Sequence, residues 1–179
     1  MKRFAVALAI LLISAAAAEA AGLKLASADL AAGEFVPRFI YDQSGCSGGN
    51  HSPALAWSDP PAGTKSFAVT VFDPDAPTGR GWWHWVVYDI PASLRALPQD
   101  AGAASGANLP QGARQTANDF GGPGYGGPCP PPGSPHRYVF TLYALDAAAI
   151  AAGSGPAEVA TGLKPHALAE ASFIVSYGR

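Results

Sequence analysis

Three stretches of the chain are almost wholly apolar and rich in β-branched and aromatic residues. They span residues 66–72, 82–90 and 138–145, and the first two end just before Pro74 and Pro91. Such residues favour strands, and a continuous apolar run is typical of a strand that is buried on both faces. We therefore predict that these three strands form the centre of the fold.

Shorter apolar runs, each bounded by Gly, Pro, Ser or Asp, predict further strands. They lie at residues 24–28, 35–39, 55–57 and 172–177. Helical signals come late: Asp146 can cap a short helix over 147–150, and Pro156 can open a second one that runs to Leu163. Many strands followed by one or two short helices predict a mainly β fold, a β-sandwich with helical decoration, in a single domain over residues 21–179.

The chain begins with the pattern of a secretory signal peptide over residues 1–20. Lys2 and Arg3 precede an uncharged, mostly apolar run, and small residues at Ala18 and Ala20 fit a cleavage site. We expect cleavage after Ala20 and export, to the periplasm or as a secreted protein. An uncleaved anchor is the alternative, but a spanning helix needs roughly 20 apolar residues, so no transmembrane segment is expected in the mature chain.

The composition excludes two classes of protein. Apolar residues make up 49% of the chain and charged residues only 13%, which is too apolar and too weakly charged for intrinsic disorder. The formal net charge is −2, and the sequence contains no run of Lys and Arg. Because affinity for nucleic acid depends on clustered basic residues that face phosphates, nucleic acid is not an expected partner.

Cys46 and Cys129 are the two cysteines of the chain. An exported protein meets an oxidising compartment, where such a pair is usually joined, so we expect a disulfide between them. Two free buried thiols are the alternative.

Residues 121–135 contain six glycines and six prolines. Composition alone would allow a flexible tether. Tyr125 and Cys129 lie inside the segment, however, and a long strand follows at once. Proline restricts the backbone and glycine lets it approach a ligand closely, so we predict an ordered loop.

Two aspartates and two histidines lie at the ends or starts of the predicted central strands. Asp73 and Asp75 alternate with prolines directly after the first strand, and proline holds φ at about −65° and stiffens the turn. His84 lies in the second strand and His136 just before the third. This shared position predicts that the four side chains converge, although an ordinary turn that satisfies its own backbone donors is the alternative for the aspartates.

Alternation along the second strand predicts that Trp82 and His84 lie on one face and that Trp83 and Trp85 lie on the other. An apolar rim is typical of a small-molecule site. The rim residues predicted here are Trp82, Tyr125 and Pro128.

The residue types favour an anion as the ligand. Histidine, the Tyr138 hydroxyl and the N–H groups of Gly126 and Gly127 can donate hydrogen bonds to phosphate. A divalent metal held by the two histidines and two carboxylates is an alternative that no clustered ligand spacing supports. A serine hydrolase has less support, because the chain lacks a Gly-x-Ser-x-Gly motif. We assign structural roles to His51 and His166.

Several motifs together resemble the phosphatidylethanolamine-binding protein family, and more closely its bacterial Raf-kinase-inhibitor-like branch, the YbhB/YbcL type. The motifs are Asp73-Pro74-Asp75-Ala76-Pro77, Trp82-Trp83-His84-Trp85-Val86-Val87, Asn118-Asp119-Phe120-Gly121, Gly124-Tyr125-Gly126-Gly127-Pro128 and His136-Arg137-Tyr138. Residues 46–57 also fit that branch. The resemblance covers nearly all of the predicted mature chain.

The resemblance implies a sandwich of two antiparallel sheets with a small anion pocket, and binding or inhibition rather than catalysis. The implied ligand is a small anion or a phosphorylated head group, with no cofactor and no metal. The implied pocket residues are Asp73, Asp75, His84 and His136, with Pro77, Gly127, Pro128 and Tyr138 beside them. Two alternatives remain open: an inhibitor or signalling protein that acts on a protein partner, and a metal-dependent hydrolase.

Overall fold

The computed structural model describes residues 22–151 and 153–179, so the predicted signal peptide lies outside the described residues. Within them the chain forms eight strands, one α-helix and two 3-10 turns. The strands are β1 (Lys24–Ala26), β2 (Leu55–Ser58), β3 (Ser66–Asp73), β4 (Trp82–Pro91), β5 (Ala96–Leu97), β6 (Arg114–Gln115), β7 (His136–Leu145) and β8 (Ala167–Tyr177). The helix α1 (Pro156–Leu163) precedes β8 and confirms the second predicted helix.

The strands form two antiparallel sheets, as a sandwich requires. The small sheet has the order β1-β2-β5, and the large sheet has the order β6-β4-β3-β7-β8. β3 lies between β4 and β7, and these are the three strands predicted to be central. The mainly β fold with a short late helix is confirmed.

The two faces of the large sheet pack against different layers. One core cluster lies between the sheets and includes Trp57 of the small sheet with Phe67 and Phe140 of the large one. A second cluster covers the opposite face, where Val86 of β4 packs with Leu163 of α1. Because both faces are covered, the central strands are apolar throughout instead of alternating with polar residues.

The predicted strand at residues 35–39 is wrong. Pro37–Phe39 forms a 3-10 turn instead, closed by the N–H of Phe39, which donates to the carbonyl of Val36 at 3.0 Å. Proline suits the first position of a helical turn and cannot donate to a sheet, and this local preference outweighs the apolar character of the run.

The predicted helix at residues 147–150 is also wrong, because the segment forms a series of bends. The carboxylate of Asp146 accepts a hydrogen bond from Nδ1 of His166 at 2.9 Å instead of capping a helix. The N–H of Ile150 donates to the carboxylate of Asp89 at 2.9 Å. This N–H is therefore not available for the hydrogen bond that would close a helical turn.

Candidate functional site

A cavity of about 210 Å³ opens at the end of the large sheet where β3 ends and where β4 and β7 begin. The antiparallel order places the last residue of β3 beside the first residues of both neighbours. Its lining residues are Asp73, Ala76, Pro77, Thr78, Trp82, His84, Phe120, Cys129, Pro130, Pro131, His136 and Tyr138. Three of the four predicted converging side chains therefore meet in one cavity.

Asp73 connects the turn after β3 to the start of β7. One carboxylate oxygen accepts the N–H of Asp75 at 2.8 Å, which is the ordinary turn contact considered above. The other oxygen accepts Nδ1–H of His136 at 2.7 Å. The side chain is almost fully buried, so Asp73 both shapes the turn and orients the imidazole ring of His136.

Asp75 does not line the cavity. Its two carboxylate oxygens accept Nε and Nη2 of Arg137 at 2.9 and 2.8 Å, and one of them also accepts the backbone N–H of Arg137 at 2.9 Å. These bonds to Arg137 lower the pKa of the Asp75 carboxyl to about 2. Asp75 thus holds the start of β7 against the turn, beside the cavity.

His84 lies in a β-bulge of β4. The consecutive residues Val71 and Phe72 pair with Trp85 and Trp83, which leaves His84 without a partner on β3. An extra residue reverses the alternation of faces beyond it. Trp85 therefore packs between the sheets, whereas Trp83 packs on the opposite face, and the prediction that they share a face is wrong.

The bulge places His84 in the wall of the cavity, where only 3% of the residue is exposed. Its Nδ1 lies 2.6 Å from the carbonyl oxygen of Gly126, so Nδ1 donates. The rings of Phe120 and Tyr138 meet it edge-on, with centroids 5.4 and 5.0 Å away. Burial lowers the pKa of His84 to about 4, although the carbonyl of Gly126 and the carboxylate of Asp73 act in the opposite direction.

Two hydrogen-bond donors in the cavity wall have no partner among the described residues. They are the hydroxyl of Tyr138 and the indole N–H of Trp82, both inaccessible to bulk solvent. A buried polar group without a partner is costly, and such groups are rare in folded proteins. Both residues line the cavity, although the two donor atoms themselves are closed to water.

The loop at residues 121–135 is ordered by contacts on both sides, as predicted. The N–H of Gly127 donates to the side chain of Asn50 at 2.7 Å, and the carbonyl of Pro128 accepts the N–H of Tyr41 at 3.3 Å. A β-carbon at position 127 would collide with the backbone at Phe39, so only glycine fits there. Gly127 and Pro128 therefore lie behind the cavity wall and not in its lining.

The same loop is tied to its neighbour by the predicted disulfide, which joins Cys46 and Cys129. Cys129 lies in the cavity lining with Pro130 and Pro131. Arg179 strengthens this connection, because its guanidinium donates to the carbonyls of Pro130 and Gly45 at 2.6 and 2.8 Å.

Sequence reasoning placed some residues correctly and missed others. Among the rim residues, Trp82 lines the cavity, whereas Tyr125 is buried in the core and donates its hydroxyl to the carbonyl of Phe39 at 2.9 Å. No pattern in the sequence predicts that Phe120 and Thr78 line the cavity, although Phe120 lies in the motif Asn118-Asp119-Phe120-Gly121. His51 and His166 lie outside the cavity, in pairs with Asp100 and Asp146.

Within residues 22–151 and 153–179, no group of three or more His, Cys, Asp or Glu side chains is arranged to hold a metal ion. Over the same residues, no helix has both the length and the apolar character needed to cross a bilayer.

Residues 26–178 match the family described as phosphatidylethanolamine-binding protein. Two Escherichia coli proteins are similar over much of their length. YbhB is 49% identical over 158 residues, which cover 87% of this chain and 99% of YbhB, and YbcL is 54% identical over 130 residues, which cover 72% of this chain and 71% of YbcL.

Solved structures share the fold. The crystal structure of Escherichia coli YbcL, described as a new member of the mammalian PEBP family, superposes with a TM-score of 0.85 at 45% identity, over 89% of this chain and 99% of that one. A homologue from Chlamydia trachomatis superposes with a TM-score of 0.71 at 30% identity, over 88% of this chain and 98% of that one.

Proposed function

Because the chain belongs to the phosphatidylethanolamine-binding protein family, we propose that it is an exported, non-catalytic binding protein whose pocket accepts a small oxyanion or phosphorylated head group. The observation that carries the proposal is the meeting of His84 and His136 in one small cavity, whose lining residues Tyr138 and Trp82 each hold a buried donor with no partner among the described residues. Donors without a protein acceptor suit an anion, which offers mainly acceptors.

The size of the cavity supports a small ligand. Its volume of about 210 Å³ lies below the roughly 300 to 1,000 Å³ of sites for drug-sized molecules. Pro77, Phe120 and Pro131 make the remaining wall apolar, which suits the organic part of a head group. A phosphate group with a short substituent fits these dimensions, and a pair of acyl chains does not.

The lining also supports binding without catalysis. Nucleophilic catalysis needs a hydroxyl or thiol within hydrogen-bond reach of a base. Among the described lining residues, the hydroxyl of Thr78 donates to the carbonyl of Gly81 at 2.7 Å, and Cys129 is in a disulfide. The third such group is the hydroxyl of Tyr138, and burial raises its pKa, which opposes formation of the nucleophilic phenolate.

Export is supported by two independent features. The first is the basic, apolar and small-residue pattern of residues 1–20. The second is the disulfide between Cys46 and Cys129, a bond that persists in oxidising compartments and is rare in reducing ones.

Isothermal titration of the mature chain with inorganic phosphate and with phosphoethanolamine tests the binding function. We expect the double substitution His84→Ala with His136→Ala to weaken binding by roughly tenfold or more, because each ring supplies a nitrogen to the cavity wall. His166→Ala is the matched control, since it removes an imidazole that pairs with Asp146 away from the cavity. It should bind like the wild type.

Tyr138→Phe gives a second test that leaves no empty space in the core, unlike the substitution of a buried histidine by alanine. It removes only the unpartnered oxygen, so the free energy of unfolding should stay the same or rise by about 1 kcal/mol, while phosphate binding weakens. The proposed function is contradicted if the wild type does not bind phosphate. It is also contradicted if Tyr138→Phe and the folded double variant both bind phosphate as tightly as the wild type does.

A further inference from the structure

β8 is an edge strand of the large sheet, and its outer side is open. It pairs with β7, and among the described residues no backbone hydrogen bond joins residues 167–177 to any other segment. Ala169 and Phe173 face the core between the sheets, yet both are only half-buried because no strand lies beyond them. The N–H and C=O groups that point away from β7 are therefore available to another strand.

The second half of β8 lacks the features that commonly protect an edge strand. Those features are short length, charged residues, proline and β-bulges. Residues 171–177 contain no charged residue and no proline. The bulge of β8 lies near its other end, where Leu168 has no partner on β7, and Glu170, the one charged residue of the strand, also precedes the segment. By contrast β6, at the opposite edge of the sheet, has only two residues.

An apolar row crosses the large sheet and ends at this open edge. Ile174 of β8 pairs with Val139 of β7. Phe72 of β3 pairs with Val139 on one side and with Trp83 of β4 on the other. Residues that lie directly opposite each other share a face of the sheet, so these four side chains lie side by side. Ile174 is 53% exposed and the other three are half-buried, so the row is partly open to solvent.

From the open edge and the apolar row we propose that β8 is a dimerisation surface, on which two copies of the chain pair antiparallel about a two-fold axis at Ile174. The axis runs perpendicular to the sheet, so the two five-stranded sheets join into one continuous sheet and each face keeps its own side. Ile174 then lies opposite Ile174 of the second copy. The two apolar rows become one, and the most exposed residue of the row is covered.

The core-facing residues of β8 suit pairing with themselves. With the axis at Ile174, Phe173 lies opposite Val175 of the second copy. Ala171 lies opposite Tyr177, so a small side chain meets a large one. Cross-strand pairs of aromatic and β-branched residues stabilise a sheet, and these pairs occur twice because of the symmetry.

The position of Glu170 favours this register over its neighbours. An axis at Glu170 sets the two carboxylates directly opposite each other, which is destabilising, and an axis at Ser172 sets Glu170 opposite Ile174. An axis at Phe173 sets Ile174 opposite Ser172 and interrupts the apolar row. With the axis at Ile174, the two carboxylates lie at opposite ends of the contact, about 27 Å apart along the strand.

The extent of the contact predicts a weak dimer. Residues 171–177 of each copy pair along about 24 Å, and the layers on the two faces of the sheet make the contact roughly 20 Å deep. The buried surface is therefore roughly 500 Å² per copy and about 1,000 Å² in all, which is the lower end for a specific interface. We expect a dimer that forms at concentrations on the order of tens of micromolar and dissociates on dilution.

Sedimentation velocity of the mature chain from about 1 µM to about 1 mM tests the dimer. The weight-average mass should rise from that of a monomer toward that of a dimer. Ile174→Lys should raise the dissociation constant by at least roughly tenfold, because it sets two like charges opposite each other at the axis. Leu168→Lys is the matched control, since it places the same charge at an exposed position of β8 outside the paired segment. It should dimerise like the wild type.

Disulfide crosslinking tests the register. In Ile174→Cys the two introduced thiols lie opposite each other, with Cβ atoms about 5 Å apart, so mild oxidation should join two chains. In Ser172→Cys the two thiols are about 14 Å apart along the strand and should not join. A mixture of Ser172→Cys and Ser176→Cys chains should form only mixed pairs, because these two positions lie opposite each other. Each variant is first shown to melt at the temperature of the wild type, as expected for exposed positions.

Each result supports or overturns a stated part of the proposal. A chain that stays monomeric at about 1 mM overturns the dimer and leaves the edge for a strand of another protein. A dimer that Ile174→Lys and Leu168→Lys weaken equally, or that neither weakens, uses another surface. Crosslinking of Ser172→Cys as fast as Ile174→Cys overturns the register.

Discussion

His84 is the residue whose environment departs most from what its sequence neighbours indicate. It lies in an aromatic strand, yet its ring is fully buried against the carbonyl of Gly126. A buried imidazole resists charging, and burial lowers its pKa from the ordinary 6.5 to about 4. The folded protein therefore binds this proton only well below the pH at which the unfolded chain does.

This difference predicts a loss of stability on acidification. Between about pH 6.5 and pH 4 the unfolded state is protonated at position 84 and the native state is not, so falling pH favours unfolding. The total effect is about 3 kcal/mol. His84→Gln should flatten the dependence of the free energy of unfolding on pH across this window, as measured by urea denaturation at several pH values.

His166→Gln provides the control, because it removes an exposed imidazole. Its pH profile should match that of the wild type. A His84→Gln profile as steep as the wild type between about pH 6.5 and pH 4 would contradict a buried neutral imidazole at this position.

At the residue scale, the sequence predicted which side chains meet but not how each is held. Asp73, His84 and His136 converge because each lies at a strand end, and strand ends can be read from proline and apolar runs. The bulge at His84 cannot be read in this way, since it depends on the register with β3 and reverses the faces of Trp83 and Trp85. The bond that removes Asp75 from the cavity depends likewise on where Arg137 lies in the folded protein.

At the scale of elements, long strands were predictable and short ones were not. β3, β4 and β7 are eight to ten residues long and contain at least five apolar or aromatic residues each. β5 and β6 have two residues each and are defined by their partners β2 and β4 rather than by their own sequence. β8 starts at Ala167, earlier than predicted, because pairing with β7 extends a strand whose first residues alternate between half-buried and exposed.

The disulfide belongs to the scale of elements, because it joins two loops. Its cysteines, Cys46 and Cys129, are 83 residues apart in the chain. Replacing Cys46 and Cys129 by Ala should destabilise the fold by up to about 4 to 5 kcal/mol on the chain-entropy argument. That corresponds to a fall of roughly 10 °C in the melting temperature. Phosphate binding should weaken as well, since Cys129, Pro130 and Pro131 line the cavity.

Reduction of the wild type supplies the matched comparison. The reduced wild type should unfold at the temperature of the double Cys→Ala variant, and reductant should leave that variant unchanged. Equal melting temperatures for oxidised and reduced wild type would show that Arg179, which bonds to the carbonyls of Gly45 and Pro130, holds the loops without the disulfide.

At the scale of the whole molecule, three layers explain why one end of the sheet can carry a pocket. The small sheet and α1 cover the two faces of the large sheet. Polar groups such as Asp73 and His84 can then be buried there, each with a bond to a neighbouring element. The apolar runs predicted the two sheets. They did not predict the third layer, because it consists of α1, the one of the two predicted helices that forms.

Removal of the first twenty residues takes away no part of the described strands. β1 begins at Lys24, where it pairs with Ser58, so a chain cleaved after Ala20 keeps every described strand. When the full chain is produced in a bacterium, we expect the exported product to begin at Ala21 and to gain two hydrogens in mass on reduction. A variant without residues 2–20 should remain in the cytosol with reduced cysteines. Intact-mass spectrometry of both fractions tests this, and an exported product that retains Met1, or a full chain confined to the cytosol, contradicts the signal peptide.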